Sequence, residues 1–211
     1  MIEEMEALLK ELAAQFSDRR LHLFDVKLES GEGQWAALSG RVLEGQNLET
    51  LRHAVSERIP GLQLDDSGVK VLRKPNPLHL TVATNLTSLH AEPSWLAEML
   101  SQNTYGTQVE VLEEEQRWVR IRQADGYLGW MYRPYLSELP AAHPNYLVKA
   151  TIAALFSEPR CDSPLTSRLV GGTGVQVVSA HGDWAEVDAH VWGYMKMNEL
   201  RTIDFAPSAP E

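Results

Sequence analysis

The 211 residues are 44% hydrophobic and 23% charged, the composition of an ordinary globular chain of about one and a half domain lengths. Nineteen Lys and Arg against 29 Asp and Glu leave a net charge of −10, which lacks the cationic footprint of a nucleic-acid or anionic-membrane binder. One cysteine, Cys161, rules out an intramolecular disulfide framework and a cysteine-based zinc site, and no apolar run nears the ~18 residues of a membrane span.

Met1 to Glu6 is acidic where a secretory signal is basic, so the expected location is the cytoplasm, or the envelope if an export signal was removed. Ile2, Met5, Leu8, Leu9, Leu12 and Phe16 share one stripe at helical spacing. Phe24, Val26 and Leu28 alternate as in a strand, Gly31-Glu32-Gly33 turns the chain, and Trp35 to Val42 is a second strand. Asn47 reads as the N-cap of a second helix carrying Leu48, Leu51, Val55 and Ile59, and Val69 with Val71 makes a last strand. Trp35-Ala36-Ala37-Leu38-Ser39-Gly40-Arg41-Val42 and Ile59-Pro60-Gly61-Leu62 resemble the BON domain of bacterial envelope proteins. That resemblance implies a packing and spacing domain over residues 1–74 with no catalytic residues.

Prolines in Arg73-Lys74-Pro75-Asn76-Pro77 and Leu139-Pro140-Ala141-Ala142-His143-Pro144 mark linkers, because each removes a donor and pushes its predecessor out of the helical region. What lies between and beyond them is a duplication. Leu89-His90-Ala91-Glu92-Pro93 returns as Leu155-Phe156-Ser157-Glu158-Pro159, and Gly106-Thr107 as Gly172-Thr173, both 66 residues on. Trp118 answers to Trp184 at the same offset, and Gly129-Trp130-Met131 to Gly193-Tyr194-Met195 at 64. The copies read as 78–139 and 145–203, with a Pro/Ala/Ser tail at 204–211. Each copy has a strand, a long irregular loop and short alternating runs such as Val109 to Leu112, Trp118 to Arg122 and Tyr127 to Met131. Five short strands in so few residues predict a small barrel. The expected fold is mainly β, with an αββαβ unit ahead of two tandem barrels.

Asn85-Leu86, Leu89 to Ser94, Ala97 to Gln102, Gly106, Trp118 and Asp125-Gly126-Tyr127-Leu128-Gly129-Trp130 closely resemble the bacterial SH3 domain. More narrowly, they are similar to the variant that precedes NlpC-type cysteine peptidases, the γ-D-glutamyl-L-diamino acid endopeptidases of the dipeptidyl-peptidase VI kind. The second copy is degenerate, with Cys161-Asp162-Ser163-Pro164-Leu165 where the first has Trp95 to Met99. A peptidase of this kind needs a cysteine with an adjacent base, and Cys161 sits in a loop without the family's Asp-Cys-Ser helix start. The chain is therefore expected to have no catalytic residues of its own. The peptidase domain would be a missing downstream partner.

The seven histidines show no metal-ligand spacing, so neither a metal nor another cofactor is expected. Glu113-Glu114-Glu115 reads as a solvated hairpin tip, and Trp118, Trp130, Tyr132 and Tyr135 as core and rim packing. The resemblance implies a non-catalytic recognition region that holds the free-amine end of a peptidoglycan stem peptide or muropeptide. It points to Glu92 and Tyr127 as the ammonium-binding pair, with Glu98 in reserve and Trp130 as an aromatic wall. Tyr127 aligns with Val191, so the second copy cannot build that pair. The alternative is an SH3-type adaptor that takes an extended or Pro-rich peptide of a protein partner on exposed aromatic ridges.

Overall fold

The computed structural model of the chain describes residues 2–203; Met1 and the tail expected at 204–211 lie outside the described residues. The apolar stripe forms α1 (Ile2–Gln15), which buries Met5, Leu8, Leu9 and Leu12. Ile2, at the helix start, stays exposed. Phe16 has left the helix and stacks on Phe24, ring centroids 5.3 Å apart. The chain then runs through β1 (Phe24–Glu32), β2 (Trp35–Val42), α2 (Gly45–Arg58) and β3 (Gln63–Val71). β2 lies between an antiparallel β1 and a parallel β3, so β2-α2-β3 is a crossover unit with both helices supplying the core.

Helix α2 begins earlier than its sequence suggests. Glu44 is the N-cap, and Asn47 acts from the third helical position, its Oδ1 accepting from the Glu44 amide at 2.9 Å. A short amide side chain serves a helix start from either place. Gly40, at φ +130°, faces Val26, and a side chain there would overlap the Asp25 carbonyl oxygen. The Leu-Ser-Gly-Arg-Val strand therefore needs its glycine for a close backbone approach.

Next come β4 (His79–Val82), β5 (Leu86–His90), β6 (Met99–Thr104), β7 (Gln108–Glu115), β8 (Trp118–Arg122), β9 (Leu128–Tyr132) and β10 (Leu136–Ser137). They form one sheet in the order β10-β4-β7-β8-β9-β5-β6. The remaining strands are β11 (Tyr146–Val148), β12 (Ile152–Phe156), β13 (Leu165–Val170), β14 (Gly174–His181), β15 (Trp184–Asp188), β16 (Trp192–Lys196) and β17 (Leu200–Thr202). Their order is β17-β11-β14-β15-β16-β12-β13. Adding seven to each strand of the first sheet gives the second. Each copy thus has seven strand segments where five were expected.

The correspondence reaches single hydrogen bonds. Val82 and Val148 each donate to the threonine carbonyl (Thr107, Thr173) at 2.9 Å, and Gly106 and Gly172 turn at φ +84° and +85°. At Gly129 and Gly193 the chain crosses so close to Leu89 and Leu155 that a Cβ would lie 2.6 and 2.7 Å from their Cγ atoms. Each sheet encloses its own apolar core, built around Leu89, Ile121 and Met131 in one and Leu155, Leu169 and Met195 in the other.

Two seams join the units. Leu23, Leu43 and Leu72, at one end of the first sheet, are buried with Leu112 and Leu128 of the second unit. Arg41 and Arg73 cross the same seam to Glu113 (2.9 Å) and Glu110 (3.2 Å). At the other junction Tyr105 packs toward His190, and Asn85 Nδ2 donates to the Arg168 carbonyl at 3.0 Å.

Candidate functional site

The loop between β5 and β6 carries both glutamates of interest. The Ala91 amide donates to the Glu98 carbonyl at 2.9 Å, and the Ser94 amide to the Glu92 carbonyl at 2.7 Å, so the loop closes on itself. Its middle residue, Trp95, folds down onto the sheet. The Trp95 ring lies 5.0 Å from Trp118, 5.1 Å from Tyr132, 5.5 Å from His90 and 6.2 Å from Tyr135. His90 Nδ1 lies 3.3 Å from the Ala97 carbonyl, which can only accept, so the ring donates from that nitrogen. An aromatic anchor thus holds the loop between the two carboxylates.

The second copy keeps the loop's backbone but not the anchor. Ser157 donates to the Pro164 carbonyl and Arg160 to the Glu158 carbonyl, matching the first loop bond for bond. Cys161, exposed, stands where Trp95 does, and the loop is braced by Arg160 with Glu158 and Asp162 instead. Glu98 is replaced by Pro164. The residues on either side of Cys161, Arg160 and Asp162, pair with each other at 3.1 Å.

Glu92, Glu98 and Trp130 line one cleft of about 900 Å³ between the first unit and the first sheet of the repeat. Its opposite wall comes from the turn after α1 and from β1 and β2: Phe16, Arg19, Arg20, His22, Phe24, Asp25 and Arg41. This wall could not be read from sequence, because it exists only through the docking of distant segments. The local signal was no more than a charged turn, Asp18-Arg19-Arg20. That turn is fixed to the sheet by the Leu128 amide, which donates to the Arg20 carbonyl at 2.6 Å.

Tyr127 is not among the residues that line the cleft: it packs against the apolar core of the first copy, and the guanidinium of the cleft residue Arg20 lies 5.9 Å from its ring centre. Two hydrogen bonds from Arg20 to Asp18 hold the arginine's pKa above its ordinary value, and Tyr127 and Glu98 add to this through space. The pocket floor has a second charged group. Arg120 lies 5.8 Å over Trp130 and bonds Glu113 at 3.3 Å, and burial lowers its pKa despite that carboxylate. Glu113 is therefore not a hairpin tip. It lies within β7 as a half-buried acceptor shared by Arg41 and Arg120, and the turn itself falls at Gln116, φ +54°. The sequence could not show this because both arginines reach Glu113 from other strands.

Among the described residues no cluster of three or more His, Cys, Asp or Glu could hold a metal ion, and no helix is long and apolar enough to cross a membrane. His190 bonds Ser167 at 2.7 Å, and His181 sits exposed on β14. A shallower depression between α1 and α2, of about 750 Å³, is rimmed by charges already paired, Arg52 with Glu49 and Asp66.

Residues 84–137 match the bacterial SH3 domain family. The match spans β5 to β10 and includes Glu92, Glu98, Tyr127 and Trp130. No curated protein matches the chain. Among solved structures, an NlpC/P60 family protein from Bacillus cereus aligns over 58% of this chain and 55% of its own, at 14% identity and a TM-score of 0.47. NlpC2 from Trichomonas vaginalis aligns over 61% of this chain and 49% of its own, at 15% identity and a TM-score of 0.28. The chain spans about half the length of these structures.

Proposed function

We propose that the chain is a non-catalytic recognition region for the free-amine end of a peptidoglycan stem peptide, built from a BON-like unit (1–74) and two SH3-like barrels (78–139 and 145–203). The observation that carries this reading is the convergence of Glu92, Glu98 and Trp130 on one cleft. An ammonium leaving water needs a charged acceptor, and two carboxylates beside an aromatic wall supply it. Tyr127 stands beside Arg20, outside the cleft lining, and takes no direct part in this reading. The family match over this segment and the Glu-Pro and Gly-Tyr-Leu-Gly-Trp motifs support the same assignment. The partner implied is a peptidase domain that would cut the peptide so held.

An adaptor that takes an extended peptide on an aromatic ridge fits less well. The ridge of Trp118, Tyr132 and Tyr135 exists, but Trp95 of the chain's own loop already lies on it.

Calorimetry with the tripeptide L-Ala-γ-D-Glu-L-Lys tests the reading. The parent chain should bind it and not its N-acetyl derivative. Glu92→Gln should weaken binding about tenfold, as befits one charge-assisted hydrogen bond in a partly open site. Equal affinity for the free and acetylated peptides would remove the amine site.

A further inference from the structure

The cleft holds more ionisable groups than an amine site requires, and three of its four arginines are satisfied internally. Arg20 is bonded to Asp18, Arg41 to Glu113 and Asp25, and Arg120 to Glu113. The fourth, Arg19, stands out. Its side chain and that of Glu92 line the cleft without a hydrogen bond or ion pair among the described residues, as do the Glu98 and Glu115 carboxylates. Glu92 and Arg19 come from opposite walls, Glu92 from the SH3-like loop and Arg19 from the turn after α1. An unpaired carboxylate and an unpaired guanidinium lining one space are complementary to a ligand carrying both an ammonium and a carboxylate. The volume, about 900 Å³, is that of a site for a short peptide.

We infer that Arg19 is a specificity-determining residue of the cleft, which pairs with a carboxylate on the residue next to the ligand's free amine. The inference rests on the amine site proposed above and extends it: the first unit, otherwise a spacer, reads the acid group. A guanidinium suits this task because its planar fork meets a carboxylate with two parallel donors and never deprotonates. The turn that carries it is held at both ends, by the Arg20–Leu128 backbone bond on the barrel side and by the Phe16–Phe24 stack within the first unit. Its position is therefore set before a ligand arrives. For a stem peptide the group read would be the α-carboxylate of the γ-linked D-glutamate. Its amide, D-isoglutamine, would be refused.

The test is calorimetry of the full chain with two probes, L-Ala-γ-D-Glu-L-Lys and the same tripeptide with that carboxylate amidated. The parent should prefer the acid by about tenfold, the discrimination of one charge-assisted pair at a partly exposed site. Arg19→Gln should lose that preference by weakening only the acid, and Arg19→Lys should keep part of it. Arg19 is exposed, so neither variant threatens the fold. An Arg19→Gln chain that still prefers the acid as strongly as the parent would overturn the inference. If Glu92→Gln weakens both probes in that same experiment, the amine site stands without it. A parent that binds neither probe would overturn both.

Discussion

Replacing Trp95 by alanine tests how the carboxylates of the loop are held. The side chain is 53% exposed, so about half of its surface lies against His90, Trp118, Tyr132 and Tyr135. Roughly 100 Å² of apolar contact at ~25 cal/mol per Å² is about 2.5 kcal/mol, or a ~70-fold shift in the local opening of the loop. The amide to watch is Ala91, whose bond to the Glu98 carbonyl closes the loop. Its hydrogen exchange should quicken by about that factor in Trp95→Ala, while amides of β8, buried beneath, change little. Cys161→Ala in the second copy should leave the matching Ser157 amide as it was. Unchanged exchange at Ala91 would mean that the backbone bonds alone fix the loop, and the anchoring role would be wrong.

Three further outcomes follow from named contacts. Gly40→Ala should cost at least about 2 kcal/mol by urea unfolding, since the new methyl meets the Asp25 carbonyl and φ +130° is strained for any L side chain. Glu113→Gln should cost about 2 kcal/mol, because it removes the charge shared by Arg41 and the partly buried Arg120. His190 is half-buried and its pKa lies below the ordinary imidazole value because burial disfavours the cation. The unfolded chain therefore binds the proton more tightly, so the stability it contributes is present above about pH 6.5 and declines as pH falls through the folded value. A His190→Gln chain titrated by thermal melts should lack that component.

The repeat was the most legible feature, because a constant offset survives where individual residues drift. Gly106 and Gly172, and Gly129 and Gly193, are kept by backbone demands that no other residue meets, so they marked the alignment well. The element order of the first unit was equally plain, since alternation and helical spacing are local patterns. Asn47 was misplaced by three residues because the same side chain can cap from the N-cap or from the third position. The site was half legible: a motif could point to Glu92, Glu98 and Trp130, yet the facing wall is set by leucines at strand ends. Leu23, Leu43 and Leu72 sit one residue outside their strands, and nothing local says that they will share a core with Leu112 and Leu128. Glu113 was misjudged for the same reason, its partners being 72 and 7 residues away.

The leucine seam also bears on timing. Its five side chains are at most 9% exposed, so prising the two walls apart would bring all of them into water at once. The walls are then one stiff body, and a ligand of the kind proposed would enter along the open side without waiting for a hinge. Association would proceed in a single step whose rate is linear in peptide concentration, with no plateau from a closing motion. Little ordering entropy is lost on capture, and selectivity would reside in how long a peptide stays.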